Sequence, residues 1–371
     1  MRRALCLLLA LLSLPLCACA AKPAAQADAA QVGEMELAYA ENFRVENYAG
    51  GGALLTIGDG QRFLLLPEEA ETPRGLEQVP VIHTPVRQVY LASSSAADLF
   101  LQAGALEAVR YSSTKTDDWR LPELQHAQEK EDTLYVGKYS APDYELLLTE
   151  GCGLVVENTM ILHNPAAKEK LEALGLPVMI EYSSYEPHPL GRVEWVKLYG
   201  LLTGHLEEAE AFFDSQQKLF QSLEGAESTG KTVAFFHITP NGAVVVRKQA
   251  DYVTRMIELA GGKTALTDLP ASENALSTVT IQMESFYRQA RDADILIYNS
   301  TVAGDVEDIE ALFSLSPLLA DFKAVREGNV WCTEQSMFQK SSAAAGMIAD
   351  FHAVLTGSAE DDALQFLHKV G

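Results

Sequence analysis

Hydroxyl, aromatic and basic side chains follow several predicted strands of this chain, and they are its candidate binding groups. The richest stretch, EYSSYEPHPLGR, follows the apolar run LPVMI and contains Tyr182, Tyr185 and Arg192. Because small molecules bind open α/β sheets beyond the carboxyl ends of the strands, these groups are expected to stack on and hydrogen-bond a planar chelate or a macrocycle. The alternatives are that both tyrosines pack under the next helix, and that Arg192 pairs with Glu186 or simply lies on that helix.

The same strand-end argument selects candidate cleft residues in both halves of the chain. About half of them are expected to line a cleft and the others to be scaffold, and the serines at 93–95 alternatively cap the helix that follows them. Lys138, Arg247 and the hydroxyl groups would suit an anionic ferric chelate. The first-half candidates are Ser93, Ser94, Ser95, Tyr111, Lys138, Tyr139 and Asn158, and the second-half candidates are His237, Asn241, Arg247, Tyr252, Asn299, Gln335 and Phe338.

Two short strings resemble enzyme motifs but lack the required context. Residues 225–232, GAESTGKT, match the P-loop pattern, yet a predicted helix precedes them and a strand follows, so no helix N-terminus faces the loop. Residues 112–115 read Ser-Ser-Thr-Lys, but the S-D-N and K-T-G strings of serine enzymes with that motif are missing. Neither nucleotide binding nor a catalytic residue is predicted.

Histidines and cysteines give no metal-binding pattern. The eight histidines include no H-x-H or H-E-x-x-H arrangement, although His163 and His237 at strand ends in opposite halves keep direct capture of Zn or Mn as an alternative. Cys152 and Cys332 are the only cysteines in the body of the chain, and both are expected to be buried free thiols. No resident metal and no cofactor are predicted.

The N-terminus is typical of an exported lipoprotein. Two arginines precede about thirteen apolar residues, a length that suits a secretion signal and is short for a membrane span. Residues 16–19, Leu-Cys-Ala-Cys, resemble a bacterial lipobox, in which Cys19 is the lipidated residue and residues 1–18 are removed. Cys17 is the less suitable site, because it would place proline and leucine where small residues are needed. Residues 19–40 are expected to form a flexible tether.

Composition sets limits on the partners. The chain has 371 residues, 48% of them hydrophobic, which is enough for two domains with separate cores. Its formal net charge of −23 argues against nucleic acid and against anionic membrane surfaces as partners.

Alternating strand and helix patterns predict an α/β fold with two Rossmann-like lobes and a ligand cleft between them. The N-terminal lobe is expected over residues 41–187 and the C-terminal lobe over residues 226–371. Between the lobes, the apolar residues of 188–225 have helical spacing, and no proline follows Pro189 in this segment. This pattern predicts one long α-helix of about 50 Å that joins the lobes. Gly200 and Gly204 would bend or weaken this helix.

The chain resembles the class III substrate-binding lipoproteins of ABC importers for iron-siderophore, haem and cobalamin complexes. The likeness covers roughly residues 40–357. It rests on the order and spacing of VRQVYLASSSAADLFLQAGALEAV, YVGKYSAPDYELLLTEGCGLVVEN, EPHPLGRVEWVKLYGLLTG, DYVTRMIELAGG, TIQMESF and ADILIYN.

The resemblance implies a monomeric receptor, without enzymatic activity, that captures a metal chelate and delivers it to an ABC permease dimer and its ATPase. It places the protein outside the cytoplasm, lipid-anchored to the outer face of the bacterial cell membrane or in the periplasm. It also implies that Glu145 and Glu284, one on each lobe, dock into arginine pockets of the permease. The alternative is that both are ordinary solvated helix residues. Alternatives for the whole chain are a direct Zn or Mn receptor and a secreted lipoprotein enzyme.

Overall fold

The computed structural model describes residues 30–223, 228–269, 278–359 and 363–371. Cys19 and the predicted secretion signal therefore lie outside the described residues, as does part of the 225–232 string. Within the described ranges, no helix combines the length and the apolar character needed to cross a membrane.

A five-stranded sheet opens the described chain. Neighbouring strands are antiparallel except β4 and β5, which run parallel. Residues 58–60, Gly-Asp-Gly, join the third strand to the fourth. The strands are β1 (Gln31–Glu34), β2 (Phe43–Tyr48), β3 (Ala53–Ile57), β4 (Arg62–Pro67) and β5 (Val81–Thr84).

The N-terminal lobe continues with a five-stranded parallel sheet, as the alternation of apolar runs and helical patterns predicts. Its order is β12-β11-β6-β7-β8, and the pair β9-β10 forms a small antiparallel ribbon. The elements are β6 (Val89–Leu91), α1 (Ser94–Gln102), β7 (Val109–Ser112), α2 (Pro122–Glu129), β8 (Leu134–Tyr135), β9 (Gly137–Lys138), β10 (Ala141–Pro142), α3 (Tyr144–Thr149), β11 (Leu154–Glu157), α4 (Pro165–Ala173) and β12 (Val178–Ile180).

The prediction of one long helix over 188–225 is wrong. Two helices, α5 (Pro189–Thr203) and α6 (Leu206–Gln221), pack against each other after a turn at Gly204, whose φ is +85°. A β-carbon at Gly200 would lie 2.5 Å from the β-carbon of Ala209, so glycine permits the close approach of α6 to α5. The two glycines thus reverse the chain rather than bend a continuous helix.

The C-terminal lobe contains a seven-stranded mixed sheet. Strands β15, β13, β17 and β18 are parallel where they pair, and β14, β16 and β19 add antiparallel edges. The elements are β13 (Thr232–Ile238), β14 (Val244–Arg247), α7 (Tyr252–Leu259), β15 (Lys263–Thr264), β16 (Thr278–Ile281), α8 (Met283–Ala290), β17 (Ile295–Tyr298), α9 (Ser300–Ala303), α10 (Ile309–Leu315), α11 (Lys323–Arg326), β18 (Val330–Thr333), α12 (Ala344–Thr356) and β19 (Leu367–Lys369).

Helix α5 joins the cores of the two lobes, which are also bridged by α6 and by the contact of α1 with the 3-10 turn Ser341–Ala343. It contacts α1 in the N-terminal lobe and α7 and α12 in the C-terminal lobe, and of its residues only Leu201 is not fully buried. One hydrophobic cluster runs through it and includes Leu99, Trp195 and Ile348. Because the lobes share this packed core, their relative motion is expected to be limited.

The tether predicted over residues 19–40 is too long. Residues 31–34 form β1, and the backbone N–H groups of Ala38, Tyr39 and Ala40 donate to the buried carboxylate of Glu194 at 2.8–3.0 Å. Buried backbone N–H groups need a hydrogen-bond partner, and the carboxylate of Glu194 on α5 is the partner of these three. It therefore fixes residues 38–40 to the fold.

Candidate functional site

A cleft lies between the lobes at the carboxyl ends of strands β6, β11, β12 and β14. Its main cavity has a volume of about 400 Å³, within the range of small-molecule sites. A second cavity of about 340 Å³ shares Ser94 and Phe338 with it. The main cavity is lined by Ser94, Ser95, Thr159, Ser184, Tyr185, Arg192, Arg247, Asp251, Tyr252 and Phe338.

Two arginines and two aromatic rings form the centre of the main cavity. The guanidinium carbon of Arg192, on α5, lies 4.1 Å from the centre of the Tyr252 ring. That of Arg247, at the end of β14, lies 4.6 Å from the centre of the Phe338 ring and 5.9 Å from that of Tyr252. Stacking holds the planar guanidinium groups in place and leaves N–H donors available for an anion.

The charged side chains at the centre of the main cavity, two arginines and one aspartate, carry a net positive charge. Asp251 Oδ2 lies 3.3 Å from Nη1 of Arg247, and no hydrogen-bond partner is present at the buried Nε atom of Arg192 within the described chain. Burial raises the pKa of Asp251, while the two arginines and the N–H of Val253 act to lower it. One carboxylate facing two guanidinium groups leaves a net attraction for an anionic ligand, although the whole chain is strongly acidic.

Serines on the N-terminal lobe are held by a buried carboxylate beneath them. Ser95 Oγ donates to Glu181 Oε2 at 3.0 Å and Ser93 Oγ donates to the same oxygen at 3.2 Å. The N–H of Ser183 donates to Glu181 Oε1 at 2.6 Å. The hydroxyl groups therefore have fixed positions, and Ser93 does not cap α1 with its side chain.

The second cavity contains a direct connection between the lobes. The N–H of Arg120 donates to Gln339 Oε1 at 2.6 Å, and Gln339 Nε2 donates to the carbonyl of Asp118 at 3.0 Å. Residues of α9, including Ser300 and Thr301, and Gly304 after it complete its C-terminal wall. Gln339 thus links the two lobes at the mouth of the cleft.

A larger cavity, of about 550 Å³, lies elsewhere. It is formed by β1, α5 and α6, and its wall contains Glu34, Glu36, Glu210 and Asp214 with a single cation, Lys197. Lys197 already donates to Glu194 at 2.8 Å. This acidic surface lacks the convergent donors of the interlobe cleft, which is therefore the better candidate site.

Eight of the 17 candidate binding residues lie in the cleft. From the N-terminal lobe and α5 these are Ser94, Ser95, Tyr185 and Arg192, and from the C-terminal lobe Arg247, Tyr252, Gln335 and Phe338. Tyr185 also shares a 3.0 Å hydrogen bond with Thr159. Their role in binding stays a prediction.

The other predicted N-terminal residues are scaffold or surface. Tyr111 is buried and donates to Gln88 at 2.8 Å, and Asn158 caps the 3-10 turn Thr159–His163. Tyr139 and Tyr182 pack against the small cluster around Ile161, and Lys138 is exposed on β9. For these residues, the end of a strand is followed by a turn that directs the side chain into the lobe or to its surface.

Three predicted C-terminal residues are also placed outside the cavity walls. His237 is buried on β13, where burial and the charge of Arg247 lower its pKa. Asn299 caps α9 and Asn241 is exposed in a turn, where it accepts a hydrogen bond from Thr239. His163 and His237 do not belong to any group of potential metal ligands within the described chain.

Several cleft residues were not predicted. Thr159, Asp251, Asp118, Arg120 and Gln339 line the walls, yet only Asp251 carries a sequence cue, as the N-cap of α7. Asp118 and Arg120 come from a loop between β7 and α2, and such loops give no periodic pattern.

The predicted docking residues have the required exposure. Glu145 lies in the first turn of α3 and Glu284 in the first turn of α8, one on each lobe, and both are exposed. Their role in docking is a prediction that exposure alone does not test.

The chain has distant relatives in sequence, and its fold is similar to that of several solved structures. No protein-family model matches the chain. An uncharacterised lipoprotein of Methanocaldococcus jannaschii is 24% identical over 351 residues, which cover 90% of this chain and 86% of the relative. The periplasmic haem-binding protein HutB of Vibrio cholerae is 17% identical with a TM-score of 0.57, covering 74% of this chain and 99% of that one. The periplasmic vitamin B12-binding protein BtuF of Vibrio cholerae is 14% identical with a TM-score of 0.53, covering 74% and 98%.

The structural match agrees with the architecture built from the residues: two α/β lobes, a shared core at α5 and a cleft lined from both sides. The chain therefore has the two-lobed α/β fold of the periplasmic binding proteins.

Proposed function

We propose that the protein is an extracytoplasmic solute-binding receptor that holds a small anionic metal chelate between its lobes. The observation that carries this proposal is the pair of arginines, Arg192 and Arg247, stacked on Tyr252 and Phe338 in a cavity lined by both lobes. Binding a ligand at surfaces of both lobes favours the closed arrangement, which a transporter can then distinguish from the open one.

The ligand class follows from the donors. Guanidinium groups form paired hydrogen bonds with carboxylates and other planar anions, and the hydroxyls of Ser94 and Ser184 add neutral donors, whereas the hydroxyl of Ser95 already donates to Glu181. The rings of Tyr185 and Tyr252 offer flat apolar surface. A ferric siderophore with anionic groups fits this set best, and haem with its two carboxylates is the next candidate. The two solved structures compared above are of haem- and vitamin B12-binding proteins, which supports a ligand of this size.

The residues that line the main cavity disfavour direct capture of a bare divalent cation. Among the described residues, no histidine lies in the wall of the main cavity, and its carboxylate, Asp251, already faces Arg247 at 3.3 Å. A bare ion would need several free anionic or imidazole ligands. We propose no covalent chemistry for this site.

We further propose that Cys19 carries the lipid anchor and that the partner is an ABC permease dimer. The distant relative is named a lipoprotein, which supports the first part. Incorporation of radiolabelled lipid in the native host is expected to survive Cys17→Ala and to be lost with Cys19→Ala. Unchanged labelling of the Cys19 variant would contradict the assignment.

The ligand proposal is tested by titrating the purified protein with ferric catecholate, hydroxamate and carboxylate siderophores, haemin and cobalamin. Tryptophan emission is the readout, because Trp119 lies beside the cleft residues Asp118 and Arg120. Arg192→Gln and Arg247→Gln are each expected to weaken binding of an anionic ferric chelate by roughly 10-fold or more, since a hydrogen bond to a charged group contributes about 1.5–3 kcal/mol.

Lys138→Gln is the matched control, because Lys138 is a basic residue of the N-terminal lobe that is exposed on β9, outside the walls of both cleft cavities. Its affinity should equal that of the wild type. Failure of every chelate to bind would contradict the proposal. So would tight binding of bare Zn²⁺ or Mn²⁺ that competes with the chelates, or arginine variants with unchanged affinity.

A further inference from the structure

We propose that Asp305, Cys332 and His368 form a divalent-metal site in the C-terminal lobe, with a donor set that suits Zn²⁺. The site is separate from the interlobe cleft. Among the residues that the structure describes, this is the group of three potential ligands whose donor atoms all lie within 4.8 Å of one another.

The sheet brings two of the ligands together. Cys332 on β18 and His368 on β19 are directly opposite each other in an antiparallel pair, so their side chains project from the same face. Asp305 arrives from the loop after α9, and its Oδ1 lies 3.2 Å from Cys332 Sγ and 3.3 Å from His368 Nε2.

These distances between ligand atoms fit tetrahedral coordination of a metal ion. With bonds of about 2.0–2.3 Å to oxygen, nitrogen and sulfur, ligand atoms around Zn²⁺ lie roughly 3.3–3.8 Å apart. Both distances to Asp305 are close to this range, so small side-chain movements would place all three atoms around one ion. A thiolate, an imidazole and a carboxylate together favour Zn²⁺ over Mg²⁺ or Ca²⁺, which prefer oxygen ligands.

Glu334 orients the imidazole. Its Oε1 lies 3.1 Å from His368 Nδ1, which leaves Nε2 to face Asp305 and Cys332. Metal-binding histidines commonly make this second contact with a carboxylate, which fixes the ring and the tautomer.

The site is also accessible. Cys332 is buried, whereas the side chains of His368 and Asp305 are 30% and 37% exposed, so an ion can enter from their side. Three protein ligands leave one position for water. Because Gly304, next to Asp305, lines the second cavity, a bound ion would fix this loop to β18 and β19 and stabilise that wall of the cleft.

The test uses the metal-free, full-length protein and Co²⁺ as a spectroscopic substitute for Zn²⁺. The wild type is expected to bind one equivalent of Co²⁺ with a thiolate-to-metal charge-transfer band, which Zn²⁺ then abolishes. Cys332→Ser should remove this band, and His368→Gln and Asp305→Asn should each weaken binding at least 10-fold. Glu334→Gln should weaken binding by roughly 10-fold, as is typical for the loss of such an orienting partner.

Cys152→Ser is the matched control, because it removes the other buried thiol of the described chain and should leave the band intact. Hydrogen exchange provides a second readout: Zn²⁺ should slow exchange in residues 300–306 of the wild type and not of Cys332→Ser. Circular dichroism and chelate binding of each variant distinguish loss of the metal site from loss of the fold.

Two results would overturn the proposal. The first is the absence of a charge-transfer band when Co²⁺ is added to the wild type. The second is a band that survives Cys332→Ser or is lost in His237→Ala instead. Neither result bears on chelate binding at Arg192 and Arg247.

Discussion

The guanidinium of Arg192 stacks on the ring of Tyr252, with its carbon 4.1 Å from the ring centre. Arg192 belongs to the helix that joins the lobes, whereas Tyr252 begins the first helix of the C-terminal lobe. The contact therefore crosses the boundary along which the lobes would move. A ligand bound at this pair would interact with the hinge and with the moving lobe at once, which couples binding to closure.

Gln339 is expected to stabilise the closed arrangement. Its side chain makes two hydrogen bonds to the backbone of the opposite lobe, at Arg120 and Asp118. Gln339→Ala removes both, each of which contributes about 0.5–1.5 kcal/mol, so chelate affinity should fall by roughly 5- to 150-fold. Titration calorimetry gives the affinity, and small-angle scattering should show a more open ligand-free protein. Gln289→Ala, which removes a contact made within the C-terminal lobe to Asp268, should change neither quantity.

Glu157 is expected to make stability depend on pH. This residue is fully buried, and among the described residues neither of its carboxylate oxygens has a hydrogen-bond partner. Burial raises its pKa to about 8, although the backbone N–H of Asn158 acts to lower it. Between the ordinary value of 4.5 and 8, the folded protein keeps a proton that the unfolded chain has lost. The free energy of unfolding should therefore fall as the pH rises through this window, by at most about 5 kcal/mol.

Glu157→Gln tests this dependence, because the amide stays neutral at every pH. The melting temperature of the variant minus that of the wild type should rise steadily from pH 5 to pH 8. The test is this trend and not the size of the difference at pH 5. The same substitution at Glu169, exposed on α4, should show no such trend. A difference that does not vary with pH at position 157 would refute the assignment.

Glu194 is expected to hold the N-terminal segment against α5. Its carboxylate accepts the N–H groups of three consecutive residues, from Ala38 to Ala40, and pairs with Lys197 at 2.8 Å. Glu194→Ala leaves these donors without a partner, which should cost about 3–5 kcal/mol of unfolding free energy. Limited proteolysis should then cleave within residues 31–42. Glu208→Ala, an exposed position on α6, should alter neither stability nor cleavage.

Glu145 and Glu284 are expected to act in delivery rather than in binding. Exposed charges on the two lobes would orient the protein on a permease and speed its encounter more than they add affinity. The double variant Glu145→Gln, Glu284→Gln should keep wild-type chelate affinity and lose uptake in cells. Normal uptake would remove the docking role. Glu310→Gln, exposed on α10 of the C-terminal lobe, serves as the control.

The sequence alone determined the class of fold, because local patterns carry that information. Buried strands such as β13 and β17 are mostly apolar runs in the sequence. The helices near them in the sequence are recognised by an apolar face or by an N-cap residue. The strand-end rule also selected Arg192, Arg247, Tyr252 and Phe338, although Arg247 reaches the cleft from the antiparallel strand β14, to which the argument from parallel strands does not apply.

Only the tertiary structure decided the features that depend on contacts between distant segments. The reversal at Gly204 follows from the packing of Ala209 on Gly200, and the fixed N-terminal segment follows from a carboxylate more than 150 residues away. The grouping of Asp305, Cys332 and His368 likewise depends on the register of β18 and β19. Such pairings have no short-range pattern, because hydrogen bonds and close packing act between atoms that the chain brings together only once it has folded.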